Sequence, residues 1–234
     1  GGGGGGKGGK PEKKTVEGGA DIDDLAKKMK MTTAFRKKIL GLLVGSFDAD
    51  EFLLSLNSLN LGTADAREVA RVVVDVCGQE KKFNSYYTSI LLKMIEDDPK
   101  EVRMTVCLMF KDVTKDLGTA RRARNLGKLA GNLICDGGVD FMYAFRDVDF
   151  LNPGEETVVF GVYLFSVLFS EWSEGELTAF VGRMCRDRGY ADEILSFLVK
   201  FVAGWKGNEE GSVWRRNYRF TMKGIERGGV AGAR

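Results

Sequence analysis

Paired carboxylates are the first candidates for chemistry in this 234-residue chain: Asp97 with Asp98, Asp147 with Asp149, and Glu155 with Glu156. Two neighbouring acids can hold a metal ion or divide the roles of general acid and general base. Each pair, however, stands where the pattern puts a helix end, and there a carboxylate has an ordinary capping role. The sequence contains no histidine. That removes the commonest general base, every Ser-His-Asp or Cys-His arrangement, and the His-Glu-x-x-His zinc site. The four cysteines, Cys77, Cys107, Cys135 and Cys185, lie far apart with no Cys-x-x-Cys pair. They read as buried free thiols of a reducing compartment. No G-x-x-x-x-G-K-[ST] loop occurs, and the opening GGGGGGKGG has neither a strand before it nor a helix after it. The residue types therefore predict no catalysis, no metal and no cofactor.

Cations form the second set. Arg121, Arg124, Lys128 and Asn132 fall on one helical face, either as donors in line for a phosphate backbone or acidic partner, or as a solvated surface. Arg183, Arg186 and Arg188 follow near a helix end, where they complement its dipole. In VWRRNYRF, residues 213–220, Trp214, Tyr218 and Phe220 interleave with Arg215, Arg216 and Arg219. Bases stack on such rings while guanidinium groups pair with phosphates. The other reading is that the rings dock this segment on the body of the protein. The candidate RNA-binding residues are thus Arg121, Arg124, Lys128, Trp214, Arg215, Arg216, Tyr218 and Arg219.

The net charge of +2 hides an asymmetry: residues 1–14 carry four lysines and one glutamate, and residues 206–234 carry seven basic and three acidic side chains. The ends contribute +3 and +4, so the middle carries 2 − 3 − 4 = −5. An acidic body with basic arms directs the arms toward a polyanion.

The stretch over residues 68–95 organises the elements that must position these side chains. Val69, Val72, Val73, Val76 and Cys77 recur at helical spacing, Gly78 stands where a helix would stop, and Asn84 can cap the next helix, whose face is Tyr87, Ile90, Leu91, Met94 and Ile95. The polar turn between them, with Gln79, Glu80, Lys81 and Lys82, permits only an antiparallel hairpin. Those four residues are the candidate partner-binding surface, and Phe83, Asn84 and Tyr87 have packing and capping roles. Earlier, Phe35, Ile39, Leu42 and Leu43 mark one helix, and Asp48 with Glu51 marks the start of another, with Phe47 and Phe52 at staple positions. Later, Asp98 with Pro99, Thr119, Asn152 with Pro153, and Ser173 with Glu176 open further helices, while Gly118 and Gly189 separate them. The apolar run from Val158 to Phe169 is too short to span a bilayer and predicts a central buried helix.

About ten helices with no strand predict an all-α fold of stacked antiparallel helical hairpins, HEAT-like, with disordered or extended basic N- and C-terminal arms. No exact internal repeat period is legible. Residues 1–30 read as a flexible Gly/Lys-rich leader, 31–205 as the helical domain and 206–234 as a basic aromatic tail. A start on glycines, without methionine or an apolar signal segment, suggests a piece of a longer protein.

CGQEKKFNSYY, with Cys77, Gln79, Glu80, Lys81, Phe83, Asn84 and Tyr87, resembles the signature helix-turn-helix of the MA-three domain. The preceding residues 35–61 resemble that domain's first hairpin, and RNLGKLAGNLI, residues 124–134, fits its later helix before a long apolar one. Gly78 and Ser85 replace a frequent second cysteine and proline, and no upstream middle domain like that of translation initiation factor 4G is present. The resemblance spans roughly residues 31–205 and points to nucleolar proteins of small-ribosomal-subunit assembly. It implies a non-catalytic scaffold of ribosome biogenesis and rRNA processing in the small-subunit processome of the nucleolus, binding assembly factors and pre-ribosomal RNA, with no membrane and no small-molecule substrate. The alternative it implies is a splicing factor or translation regulator that binds a DEAD-box RNA helicase. A third reading, from the residues alone, is an autonomous RNA-binding module using WRRNYRF.

Overall fold

The computed structural model describes residues 24, 26–27, 29, 31–59, 63–205 and 209–228. Most of the expected leader, and residues 206–208 and 229–234 of the expected tail, lie outside the described residues. Two compact units divide at residue 61. Among the described residues there are eleven α-helices and no strand, so the all-α expectation holds.

The first unit contains α1 (Ala34–Gly45) and α2 (Ala49–Asn57). The Thr33 hydroxyl accepts the Arg36 amide at 3.2 Å, and Ile39, Leu40 and Leu43 are buried. Asp48 accepts the Glu51 amide at 2.9 Å, as the sequence predicts. The return bond goes to the Phe47 amide, one residue earlier than in a regular capping box. The hydrophobic staple does not form: Phe47 is 65% exposed while Phe52 is buried. Hydrogen bonds fix the entry instead, because the Ser46 amide and hydroxyl both donate to the Leu42 carbonyl, at 2.9 and 2.6 Å.

The second unit contains α3 (Thr63–Gln79), α4 (Tyr86–Asp97), α5 (Glu101–Val113), α6 (Ala120–Cys135), α7 (Phe141–Ala144), α8 (Glu155–Glu171), α9 (Glu174–Met184), α10 (Arg188–Phe197) and α11 (Val213–Glu226). A π-helical turn, Leu198–Val202, extends α10. Thr119 caps α6, and Ser173 with Glu176 forms a complete capping box on α9. Hydrogen bonds from Ser173 hold the Glu176 carboxyl below its usual range. Boundaries differ from expectation at several points; Asp98 and Pro99, for one, precede α5, which begins at Glu101. Gly78 lies inside α3, which continues to Gln79. Asn152 and Pro153 precede α8, in a turn where the Leu151 and Asn152 amides donate to Asp149 at 3.1 and 2.8 Å. Gly189 sits within α10 because Asp187 caps it, accepting the Tyr190 amide at 3.1 Å. For α3 and α10 the helix end is set by where a side chain can satisfy free backbone groups, not by where a glycine stands, whereas α8 starts from Gly154 with no side-chain cap.

A repeat is present that the sequence does not display. In the interior of α6, the Asn125 side-chain amide donates to the carbonyls of Cys77 and Glu80, at 3.2 and 2.7 Å, where α3 ends. In α11, Asn217 donates to the carbonyls of Phe169 and Trp172, at 3.0 and 2.7 Å, where α8 ends. Positions 125 and 217, 77 and 169, and 80 and 172 are each 92 apart. α3 and α8 are both 17 residues long and begin the same 92 residues apart. The helices α3–α6 and α8–α11 are therefore two copies of one four-helix arrangement, in which the fourth helix packs on the first and clamps its C-terminal carbonyls.

The copies join where α6 meets α8. Gly127 and Gly131 of α6 face the α8 backbone so closely that a Cβ on Gly127 would lie 2.4 Å from the Phe160 carbonyl oxygen. Only glycine permits that approach. Aromatic rings join the connection between the copies to the second copy: Phe141 of α7 stands edge-on to Phe180 at 5.0 Å, and Phe150, ahead of α8, edge-on to Phe197 at 5.1 Å.

Candidate interaction surfaces

The turn between α3 and α4 is held by two side chains of α6, Asn125 and Arg124, while Arg122 braces α3 beside it. Besides the Asn125 clamp, Arg124 donates to the Lys81 carbonyl at 2.8 Å. Arg122 ion-pairs with Asp75 at 3.3 Å and donates to the Asp116 carbonyl at 2.9 Å. From α4, the Tyr87 hydroxyl donates to Glu80 at 2.5 Å, and the Tyr86 amide donates to Asn84 at 2.9 Å. Burial first, and the Glu80 charge second, push the Tyr87 hydroxyl far up, so it remains a donor at every physiological pH. Gln79, Lys81 and Lys82 are exposed, whereas Glu80 is half-buried and engaged with Tyr87. The partner-binding candidates thus separate into three outward side chains and one that braces the turn.

The expected row of donors on α6 is also divided. Arg121 is exposed, but Arg124 reaches the Lys81 carbonyl, Lys128 sits 5.5 Å from the Tyr163 ring centre, and Asn132 donates to the Lys128 carbonyl at 2.7 Å. Helical spacing places these residues on one face, but the packing of α3 and α8 on either side of α6 gives most of them internal contacts.

The C-terminal segment was expected to run as an extended arm, yet residues 213–226 form α11, capped by Ser212 accepting the Arg215 amide at 3.1 Å. Of the two roles open to its rings, Trp214 and Tyr218 show docking. They stack at 5.4 Å, both stand edge-on to Phe169, and Trp214 is 4% exposed. Burial pushes the Tyr218 hydroxyl up, and it donates to the Leu198 carbonyl at 3.4 Å. The physical reason is periodicity: Trp214, Asn217, Tyr218, Thr221 and Ile225 share one helical side, and that side covers α8 and α9. The opposite side presents Arg215, Arg216, Arg219 and Lys223 with Phe220, around an open cavity of about 440 Å³. Arg216 pairs with Glu174 at 3.6 Å, both ends exposed. Lys223 and Phe220 were absent from the sequence-derived site. Their signal was the i, i+4, i+8 spacing of Arg215, Arg219 and Lys223, which becomes meaningful only if the segment is helical.

Three of the paired acids have structural partners, and two more stand in a helix's first turn. Asp98 accepts the Glu101 amide at 3.2 Å, Asp147 pairs with Lys111 at 3.4 Å, Asp149 caps its turn, and Glu155 and Glu156 occupy the first turn of α8. Among the described residues no cluster of three or more His, Cys, Asp or Glu side chains could hold a metal ion. Among them, too, no helix is long and apolar enough to cross a membrane. All four thiols are free; burial pushes Cys135 up to about 12 and raises Cys77, Cys107 and Cys185 as well. A raised pKa keeps the thiol protonated, and the thiolate is the reactive form. Labelling of the native chain at pH 8 by a disulfide reagent is therefore expected to be much slower than labelling in denaturant. Equal rates would show that these side chains are not enclosed.

The turn clamped by α6 lies within a recognised sequence family: residues 35–140 match the MA3 (MA-three) domain. Over these residues the chain is similar to the MA3 family. The match runs from α1 to the residue before α7, so it includes α3–α6 and stops short of the second four-helix copy. MA3 domains are helical protein- and RNA-interaction modules and typically non-catalytic scaffolds. Two curated relatives extend the similarity past the MA3 domain. Human nucleolar MIF4G domain-containing protein 1 is 25% identical over 214 residues, covering 88% of this chain and 25% of the human protein. Its mouse counterpart is 24% identical over 212 residues, 87% of this chain and 25% of the mouse protein. The chain thus spans about a quarter of the length of the curated relatives it matches.

Proposed function

We propose that this chain is a non-catalytic scaffold in small-ribosomal-subunit biogenesis, binding assembly factors and pre-ribosomal RNA inside a nucleolar precursor particle. The observation that carries this reading is the similarity to the human and mouse nucleolar proteins, which covers 88% and 87% of this chain and so runs beyond the MA3 match at residues 35–140. Protein partners would meet the exposed Gln79, Lys81 and Lys82 on the braced turn. RNA would meet Arg121 and the cations of α11. Fixed helices joined by close packing suit a part whose task is to hold other molecules at set distances.

The test is affinity purification of the tagged full chain from cells at low and at high salt, with sequencing of bound RNA and mass spectrometry of bound protein. Precursors of the small-subunit rRNA with their assembly factors are the expected yield. Spliceosomal or translation components together with a DEAD-box ATPase would replace this reading with that of a splicing factor or translation regulator.

A further inference from the structure

We infer that the outward face of α11 binds single-stranded RNA, with Arg215, Arg219 and Lys223 on consecutive phosphates and the Phe220 ring against a base. The inference deepens the scaffold reading and rests on it for the nature of the ligand. It starts from the repeat. The residues of α6 that stand 92 positions before Arg215, Arg219 and Lys223 are Ala123, Gly127 and Gly131. Gly127 and Gly131 receive α8: a Cβ on them would meet the Phe160 carbonyl oxygen at 2.4 Å and Val167 Cβ at 2.7 Å. In the first copy, then, this face accepts the next helix at close range.

In the second copy the same positions carry three long cations, and a helix cannot approach at that distance. The end of a helical stack needs only a polar face, which mixed charges would supply. Here the charge is nearly all of one sign. Arg215, Arg219 and Lys223 make no ion pair among the described residues, and the acid of the helix, Glu226, stands at its last position. Arg215 to Lys223 span about 12 Å of helix axis, so the row follows an extended chain of phosphates better than a single anion. The cavity among these cations is closed on one side by Phe220, which is half-buried, while Trp214 and Tyr218 are committed to the interior. A ring held among cations provides both contacts that a single-stranded nucleic acid requires.

The experiment uses the full chain, with fluorescence anisotropy of a fluorescein-labelled single-stranded RNA of about 12 nucleotides, a length one groove can track. The triple variant R215Q/R219Q/K223Q is expected to bind at least about 10-fold more weakly, with a slope of log affinity against log salt smaller by about 2. Its circular dichroism and melting should match the parent, since the three side chains lie on the outer face. Phe220→Leu is expected to weaken the single strand several-fold and leave duplex RNA unchanged. Equal affinity and equal salt slope for parent and triple variant would overturn the site. So would loss of an acidic protein partner with RNA binding intact, which would make the face a protein surface. If the site fails in this way while the parent still purifies with small-subunit precursors, the scaffold reading stands. If the parent purifies without precursor RNA but the substitutions abolish oligonucleotide binding, the site stands and that reading falls.

Discussion

Gly127→Val is expected to destabilise the chain by at least about 3 kcal/mol in urea unfolding, or to prevent soluble expression. A Cβ at this position meets backbone: the Phe160 carbonyl oxygen at 2.4 Å, its carbon at 3.2 Å, and the Leu164 nitrogen at 3.3 Å. A flexible side chain could swing aside, but the α8 backbone can yield only by moving the whole helix. One turn on, Gly131 has the same difficulty with Val167 and with the Leu164 carbonyl at 3.1 Å, so displacement at one glycine is resisted at the other. Gly182 supplies the control. It lies in α9 with nothing within 4 Å of an added Cβ, and Gly182→Ala should be neutral or stabilise by up to about 1 kcal/mol. A Gly127→Val chain that unfolds within about 1 kcal/mol of the parent would show that α6 and α8 do not meet as described.

Asn125→Asp is expected to cost about 3 kcal/mol at neutral pH, although it changes almost nothing in size. Asn125 is fully buried, and its side-chain amide serves the two carbonyls at the end of α3. An ionised carboxylate would place oxygen against oxygen and leave both carbonyls without a donor. Burial raises the pKa of such an acid, and only its protonated form can donate. The deficit relative to the parent should therefore be largest above that raised pKa and shrink as pH falls through it. Hydrogen exchange would locate the damage in residues 80–85, the turn that Asn125 and Arg124 hold. Asn217→Asp should behave alike, with its damage at residues 169–173, because Asn217 is equally buried and serves the equivalent carbonyls. A pH-independent deficit, or one spread evenly over the chain, would contradict the clamp.

These predictions concern contacts that the sequence conceals. Asn125 sits inside a run read as one apolar stripe and one cationic stripe, and nothing adjacent marks it as the residue that closes a turn 45 positions earlier. The repeat is hidden for a related reason: Asn125 and Asn217 are preserved as a geometry, while the residues around them differ. Glycine punctuation misled at Gly78 and Gly189, because a helix proceeds through a glycine when packing supports it and ends where a side chain can satisfy its free carbonyls or amides. The staple at Phe47 failed because Glu51 took the Phe47 amide and left the ring outside.

The sequence by itself determined the helices, most of their caps, the hairpin at residues 68–95, the signature that resembles the MA3 domain, and the lack of histidine-based chemistry. These follow from local periodicity and from hydrogen bonds between residues a few positions apart, so they are written in short windows of the chain. Only the tertiary structure decided which cations are spent internally, which rings of the C-terminal segment are buried, and that α6 and α11 play the same part in two copies. Arg124 and Arg219 are the same residue type on helices of similar amphipathicity; one meets the Lys81 carbonyl and the other meets solvent. That difference depends on what packs against each helix from far along the chain, and no local pattern encodes it.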